Sequence, residues 1–309
     1  MPRIYNKYAS GQMIFYPGNT GPGNEYFVDS TNGSASNSGK DWENAMLTIN
    51  QANDKCTASN GDTIYVAPFH AENIVADSGV NLDLAGVQVV GVTRGREMPE
   101  ITFTTLVTAD FKLAAAGVSI HNLRFKSGIN ALAGPIEVSA ADCAIVNCEF
   151  METSPYECVD TIITTAAADR LLIDGYTHFG AATAGANSAI ALIGADDCEI
   201  RNCKIYGNFA VGGIDMRTTV SLRTWIHHSY LWMVNAADIA IVDTVTASSG
   251  AIGPEINIRL ADDAANIVTA VTAATHHMFN PVRVVNAVDE VNLSIDGGTG
   301  YWTASTNGA

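Results

Sequence analysis

SAADCAIVNCEF, residues 139–150, and ADDCEIRNCKIY, residues 195–206, follow one pattern, and the same pattern recurs along the chain. Six copies are marked by Val87, Val118, Cys143, Leu171, Cys198 and Thr224, at spacings of 31, 25, 28, 27 and 26 residues. A period near 27 is one coil of a three-sided parallel β-solenoid, and repeats of this length are read before any single motif. Two residues after each marker stand Val89, Ile120, Ile145, Ile173, Ile200 and Ile226, all β-branched, which predicts an aliphatic ladder facing inward. Four after stand Gly91, Asn122, Asn147, Gly175, Asn202 and His228. Glycine tolerates positive φ because it lacks Cβ, and Asn and His are the side chains next most often found there. This column therefore predicts a left-handed bend between two strands. At five and seven come Leu123 and Phe125, Cys148 and Phe150, Cys203 and Ile205. Tyr176 with His178, and Ser229 with Leu231, fit those columns less well, and Arg94 breaks the last one in the first copy. A helical repeat of similar length is excluded by the period of 2.

The chain has 309 residues, 47% of them hydrophobic, enough for one elongated core. The fold expected is an all-β, right-handed, single-stranded parallel β-helix with an N-terminal helical cap, because parallel crossovers are overwhelmingly right-handed. Residues 1–24 read as an extended arm and 25–60 as the cap. Residues 61–235 supply the rungs and 236–309 the C-terminal rungs and cap. Trp42, Ala45, Ile49 and Ala52 recur at helical spacing, predicting a short helix over the first open rung. Residues 262–275 allow a helix with Ile267, Val268 and Val271 on one face, and the final TASTNGA reads as frayed.

The formal charge of −16 argues against a nucleic-acid partner, because phosphate binding needs Lys and Arg to displace counterions. No apolar run approaches 18 residues, so no membrane span is expected, and MPRIYNKYASGQ lacks the apolar stretch of a signal peptide. Synthesis in the cytoplasm and reduced cysteines follow as expectations. Arg3, Tyr5, Lys7 and Tyr8 make the N-terminal arm a candidate for docking on another surface.

YFVDSTNGSASNSGKDW, TINQA and GDTIYVAPFHAENI, between Tyr26 and Ile74, resemble the opening segment of pectate-lyase-like parallel β-helix proteins. With GVNLDLAGVQVVG from Gly79 and SAADCAIVNCEF from Ser139, the resemblance narrows to β-helix proteins encoded among the virion genes of tailed bacteriophages. It covers roughly residues 26–206 and departs at Phe69, where glycine is the commoner residue.

Cys143 with Cys148 and Cys198 with Cys203 form two C-x4-C pairs. They occupy inward columns otherwise filled by Val, Leu and Ile. With rungs about 4.8 Å apart the pairs stand about 10 Å from each other. That is too far to share one zinc ion with bonds of about 2.3 Å. The outward column reads His121, Val146, Asp174, Arg201 and His227, an acid, a guanidinium and an imidazole on successive rungs. Such a set can neutralise a uronate and move a proton, but it is also what a surface ion-pair ladder looks like. The ladder is the reading adopted, for want of a second nearby carboxylate. Asp196 with Asp197 point to opposite faces of a strand, and the pairs His227–His228 and His276–His277 lack a third ligand at metal spacing. No catalytic residue, metal ligand or cofactor is assigned.

Tyr206 and Trp232 share a column eight residues past their markers, and Trp225 and Tyr230 occupy outward positions, together a candidate interface or glycan-stacking wall. The resemblance to virion β-helix proteins implies, as the expected function, a non-enzymatic virion structural protein of a tailed phage, a capsid decoration protein. It would be homotrimeric, on the capsid exterior and in contact with the major capsid protein. The alternative is a tail fibre or tailspike-like protein that binds glycan or depolymerises polysaccharide.

Overall fold

The computed structural model describes residues 23–152, 154–183, 185–235 and 238–260, and beyond them 271–273, 276–279, 282–285, 290–295 and 302–306. Arg3, Tyr5, Lys7 and Tyr8 of the arm lie outside the described residues. The chain winds through three sheets in constant order, forming a three-sided parallel β-solenoid with almost no helix. A typical coil runs through Ala144–Val146 in the first sheet, Glu149–Met151 in the second and Asp160–Thr164 in the third, then returns to the first at Leu172–Asp174.

The aliphatic ladder forms as the period requires. Val89, Ile120, Ile145, Ile173, Ile200 and Ile226 pair in register along the first sheet, all fully buried. The column is longer than the repeat suggested. Tyr26 and Ile64 precede Val89, and Ile252 and Met278 follow Ile226. The pattern faded in sequence because Gly250 and His276 stand where earlier coils carry an apolar or small β-branched marker. Each buried isoleucine contributes about 1.5–3 kcal/mol relative to exposure, so the ladder is a principal source of cohesion.

Asn122, Asn147, Gly175, Asn202 and His228 all take positive φ, between 49° and 70°. One left-handed residue thus turns the chain from the first sheet to the second and flips the phase of alternation. Gly91 does not. It is glycine because a Cβ there would stand 2.2 Å from the Asn122 carbonyl oxygen. In that coil the corner is a longer loop over residues 92–99, with a 3-10 turn at Gly95–Glu97, and Ile101 and Phe103 take the inward positions denied to Arg94. A second left-handed column, unnoticed in the sequence, lies one residue before each marker: Gly86, Gly117, Asp142, Arg170, Asp197 and Arg223. Its side chains alternate in sign, and Arg170 grips Asp142 as Arg223 grips Asp197.

The N-terminal helix is shorter than its apolar spacing implied. It spans Ile49–Asn53, because Thr48 is the N-cap and closes a capping box with Gln51. Ala45 is buried before the helix starts, and Trp42 packs edge-on against Phe27. Residues 261–270 lie outside the described residues, but Val271–Ala273 is a strand paired with Ile241–Asp243, which rules out a helix there. The β-branched Val271 and Thr272 favour that pairing. Trp302–Thr306 is likewise a strand, antiparallel to Glu290–Ile295, so this stretch is not frayed. Its threonines and Trp302 are residues that fit a pleated surface.

Phe69 has φ 57° and is 58% exposed. The corner keeps the conformation suited to glycine, and an exposed aromatic bears the strain. Phe69→Gly should raise the unfolding free energy by about 1 kcal/mol. Chemical denaturation checks this, and a loss of stability would mean that the ring makes a compensating contact.

Candidate functional site

On the outer face of the first sheet, Asp174, Arg201 and His227 stand in one register column, as the repeat placed them. The geometry adds a carboxylate that the sequence reading missed. Glu199 lies two residues before Arg201 on the same strand, and residues i and i+2 of a strand share a face. Arg201 donates to Asp174 at 3.0 Å through Nε and to Glu199 at 2.7 Å through Nη1. The two carboxylates push its pKa upward. Partial burial works to raise the Glu199 carboxyl, but hydrogen bonds with His227 and Arg201 hold it below its ordinary value. Asp174 also accepts from Asn202 Nδ2 at 2.7 Å. His121, further along the column, is driven down to about 4 by burial.

His227 and His228 come together in a way that strand alternation alone forbids. The left-handed bend at His228, φ 49°, rotates its ring onto the outer side, where the two Nδ1 atoms meet at 2.5 Å. Their Nε2 atoms face carboxylates, His227 on Glu199 at 3.0 Å and His228 on Glu255 at 3.5 Å. Trp225 lies flat over His227, centroids 4.0 Å apart, with its indole N–H donated to the Gly253 carbonyl at 2.8 Å.

Around the bend, the second sheet presents Phe179, Tyr206, Trp232 and Arg259 in one outward register column. Tyr206 and Trp232 meet edge to face at 5.1 Å, and the Arg259 guanidinium stands 4.2 Å from the Trp232 ring centroid. The neighbouring column carries Lys204, Tyr230 and Asn257. The sequence paired Tyr206 with Trp232 correctly but did not find Phe179 or Arg259. Trp225 belongs to the first sheet, so the four aromatics singled out divide between two walls. Between these walls opens a groove of about 370 Å³ lined by Asn202, Lys204, His228, Tyr230, Glu255 and Asn257.

Cys143, Cys148, Cys198 and Cys203 are buried in the core, and burial pushes the Cys148 and Cys203 thiols up to about 12. Tyr176 and His178 are fully buried despite their polarity. The Tyr176 hydroxyl lies 3.0 Å from Thr161 Oγ1, and His178 stacks against Phe150. Burial lowers His178 to about 3. Across the core wall Glu152, also buried, accepts from the Cys158 and Ala181 backbone and ties two loops together. Among the described residues no group of three or more His, Cys, Asp and Glu converges as a metal cage. No helix among them is long and apolar enough to cross a membrane.

No protein-family profile and no curated protein matches the chain. Among solved structures, a rhamnogalacturonan lyase is similar with a TM-score of 0.52, over 77% of this chain and 74% of that one, at 9% identity. At that identity the likeness is one of fold.

Proposed function

We propose that this β-solenoid is a non-enzymatic protein that holds an extended glycan along its outer wall. The observation that carries the reading is the in-register column of Phe179, Tyr206 and Trp232, completed by Arg259. Rungs repeat every ~4.8 Å, so aromatic side chains recur at short intervals along the wall, with Tyr206 set edge-on to Trp232 and Arg259 against the Trp232 ring. Amphipathic aromatics offer a large apolar face to a sugar ring at low entropic cost, and Arg259 adds a charge for an acidic substituent. A non-catalytic role is favoured by the state of the charged column. Arg201 is shared by two carboxylates, and His227 is held between Glu199 and His228 beneath Trp225. Arg201, Asp174, Glu199 and the Nε2 of His227 are thus bonded to one another, and Trp225 covers the His227 ring.

Trp232→Ala should weaken binding to an acidic polysaccharide by about 30-fold, the effect of losing about 2 kcal/mol at a central aromatic contact. Affinity electrophoresis against a panel of soluble polysaccharides measures it. Unchanged retardation would dismiss the aromatic column as the binding wall, and release of reducing ends or unsaturated products would dismiss the non-enzymatic role.

A second reading rests on the resemblance of the segments from Tyr26, Gly79 and Ser139 to virion β-helix proteins of tailed phages. In that setting the chain would be a capsid decoration protein, trimeric on the particle exterior, with Trp225, Tyr230 and Trp232 near a subunit contact and the basic, tyrosine-bearing arm gripping the shell. Immunogold labelling of intact particles tests it.

A further inference from the structure

The carboxylates behind His227 and His228 decide what their meeting means. A ring nitrogen hydrogen-bonded to a carboxylate carries the proton, and Nε2 of His227 is so placed on Glu199 at 3.0 Å, which leaves its Nδ1 a lone pair; Nε2 of His228 stands 3.5 Å from the exposed Glu255. The two Nδ1 atoms converge 2.5 Å apart, and once the proton between them is displaced both offer lone pairs to the same point. Two lone pairs that close repel unless a cation lies between them. A carboxylate behind each imidazole is also the outer arrangement that orients metal-bound histidines and raises their basicity.

We propose that His227 and His228 form a two-histidine site for a divalent transition ion of the copper or nickel class, completed by water from the adjacent groove. Imidazole suits these ions, and tetragonal N,O geometry is theirs. Bonds of about 2.0 Å at a right angle place two nitrogens about 2.9 Å apart, whereas tetrahedral zinc needs about 3.3 Å. The smaller opening is the one the pair can reach, and His228 can supply it. Its side chain is 40% exposed at a corner, while that of His227 is 7% exposed under Trp225. Glu199, Glu255 and Asp174 outnumber Arg201 and Lys204 around the site, which favours a cation. Because only two protein ligands are offered, an ion bound here exchanges and is lost on purification.

Titration of the untagged full-length chain with copper(II) or nickel(II) chloride at pH 7.5, followed calorimetrically, should show one equivalent bound. His228→Asn should weaken it at least tenfold. Asparagine occupies the same left-handed corner at Asn122, Asn147 and Asn202, so that variant keeps the fold. His277→Ala, at an exposed histidine on another coil, should change nothing. The copper(II) complex should show superhyperfine coupling to two nitrogens in its electron paramagnetic resonance spectrum. Absence of saturable uptake would overturn the proposal and leave the pair sharing a proton. Uptake that survives His228→Asn would overturn it equally, placing the ion elsewhere.

Discussion

Ile173→Ala is expected to lower the free energy of unfolding by about 2–5 kcal/mol. The side chain is fully buried between Ile145 and Ile200, each in register with it through the parallel ladder. Hydrogen bonding fixes the rungs at their spacing, so the neighbours above and below cannot move in to fill the space. The cost therefore belongs to the upper part of the range for isoleucine truncation. Ile173→Val, which removes one methylene, should cost only about 0.5–1.5 kcal/mol. The ratio of the two separates lost contact from altered backbone. Equilibrium denaturation in guanidinium chloride measures both, and an unchanged midpoint for Ile173→Ala would contradict its place in the ladder.

The second large effect depends on pH. Asp110 is 4% exposed, and its Oδ2 has no hydrogen-bond partner. Burial lifts its carboxyl from the ordinary 3.8 to about 6, against a hydrogen bond from the Ser78 backbone that acts the other way. Asp238 is lifted to about 6 by the same cause. A carboxyl whose pKa is raised on folding gives its full stability below pH 4 and loses it as pH rises through 6, because the folded state keeps the proton longer than the unfolded chain. The loss for Asp110 is up to about 3 kcal/mol. His121 and His178 work in the opposite sense. Their folded pKa values, about 4 and about 3, lie below the ordinary 6.5, so their contribution is full above pH 6.5 and falls away in acid. The two classes offset each other between pH 4 and 6.5 in the native protein. Asp110→Asn removes one side of the balance. It should stabilise by about 1–3 kcal/mol at pH 7 and by nearly nothing at pH 4, read from denaturation curves at the two pH values. Equal effects at both would show that folding does not raise the Asp110 pKa.

The ladder was legible in the sequence because β-branched residues two after each marker must face one way whatever surrounds them. Bends were legible at Asn122, Asn147, Gly175, Asn202 and His228, which stand at a fixed offset, but not at Gly91, whose missing Cβ serves a close approach to the Asn122 carbonyl. The second left-handed column was not legible, because Arg170 and Arg223, which carry no signature for positive φ, interrupt Asp142 and Asp197 and make the column read as charge alone. The candidate site was half legible. Asp174, Arg201 and His227 emerged as a column, but Glu199 entered from the neighbouring outward column on the same strand. The convergence of His227 and His228 depends on a single positive φ that defeats alternation. Phe179 escaped because His178, a polar residue in an apolar column, made that coil look irregular. Inside the core the Nδ1 of His178 meets Thr161, seventeen residues away in the chain, which no local pattern reveals, and its Nε2 has no hydrogen-bond partner among the described residues.

The corner between the first and second sheets is made by one residue at Asn122 and by a loop over residues 92–99 one coil earlier, yet Val89 and Ile120 remain in register on one side and Ile101 and Phe125 on the other. Winding is thus indifferent to how much chain is spent at that vertex. A guest peptide spliced between Thr93 and Gly95 would ride outside the rod without disturbing its pitch. Guests introduced at successive vertices would form a line of displayed epitopes at ~4.8 Å intervals, a spacing set by backbone hydrogen bonds and not by the guests themselves.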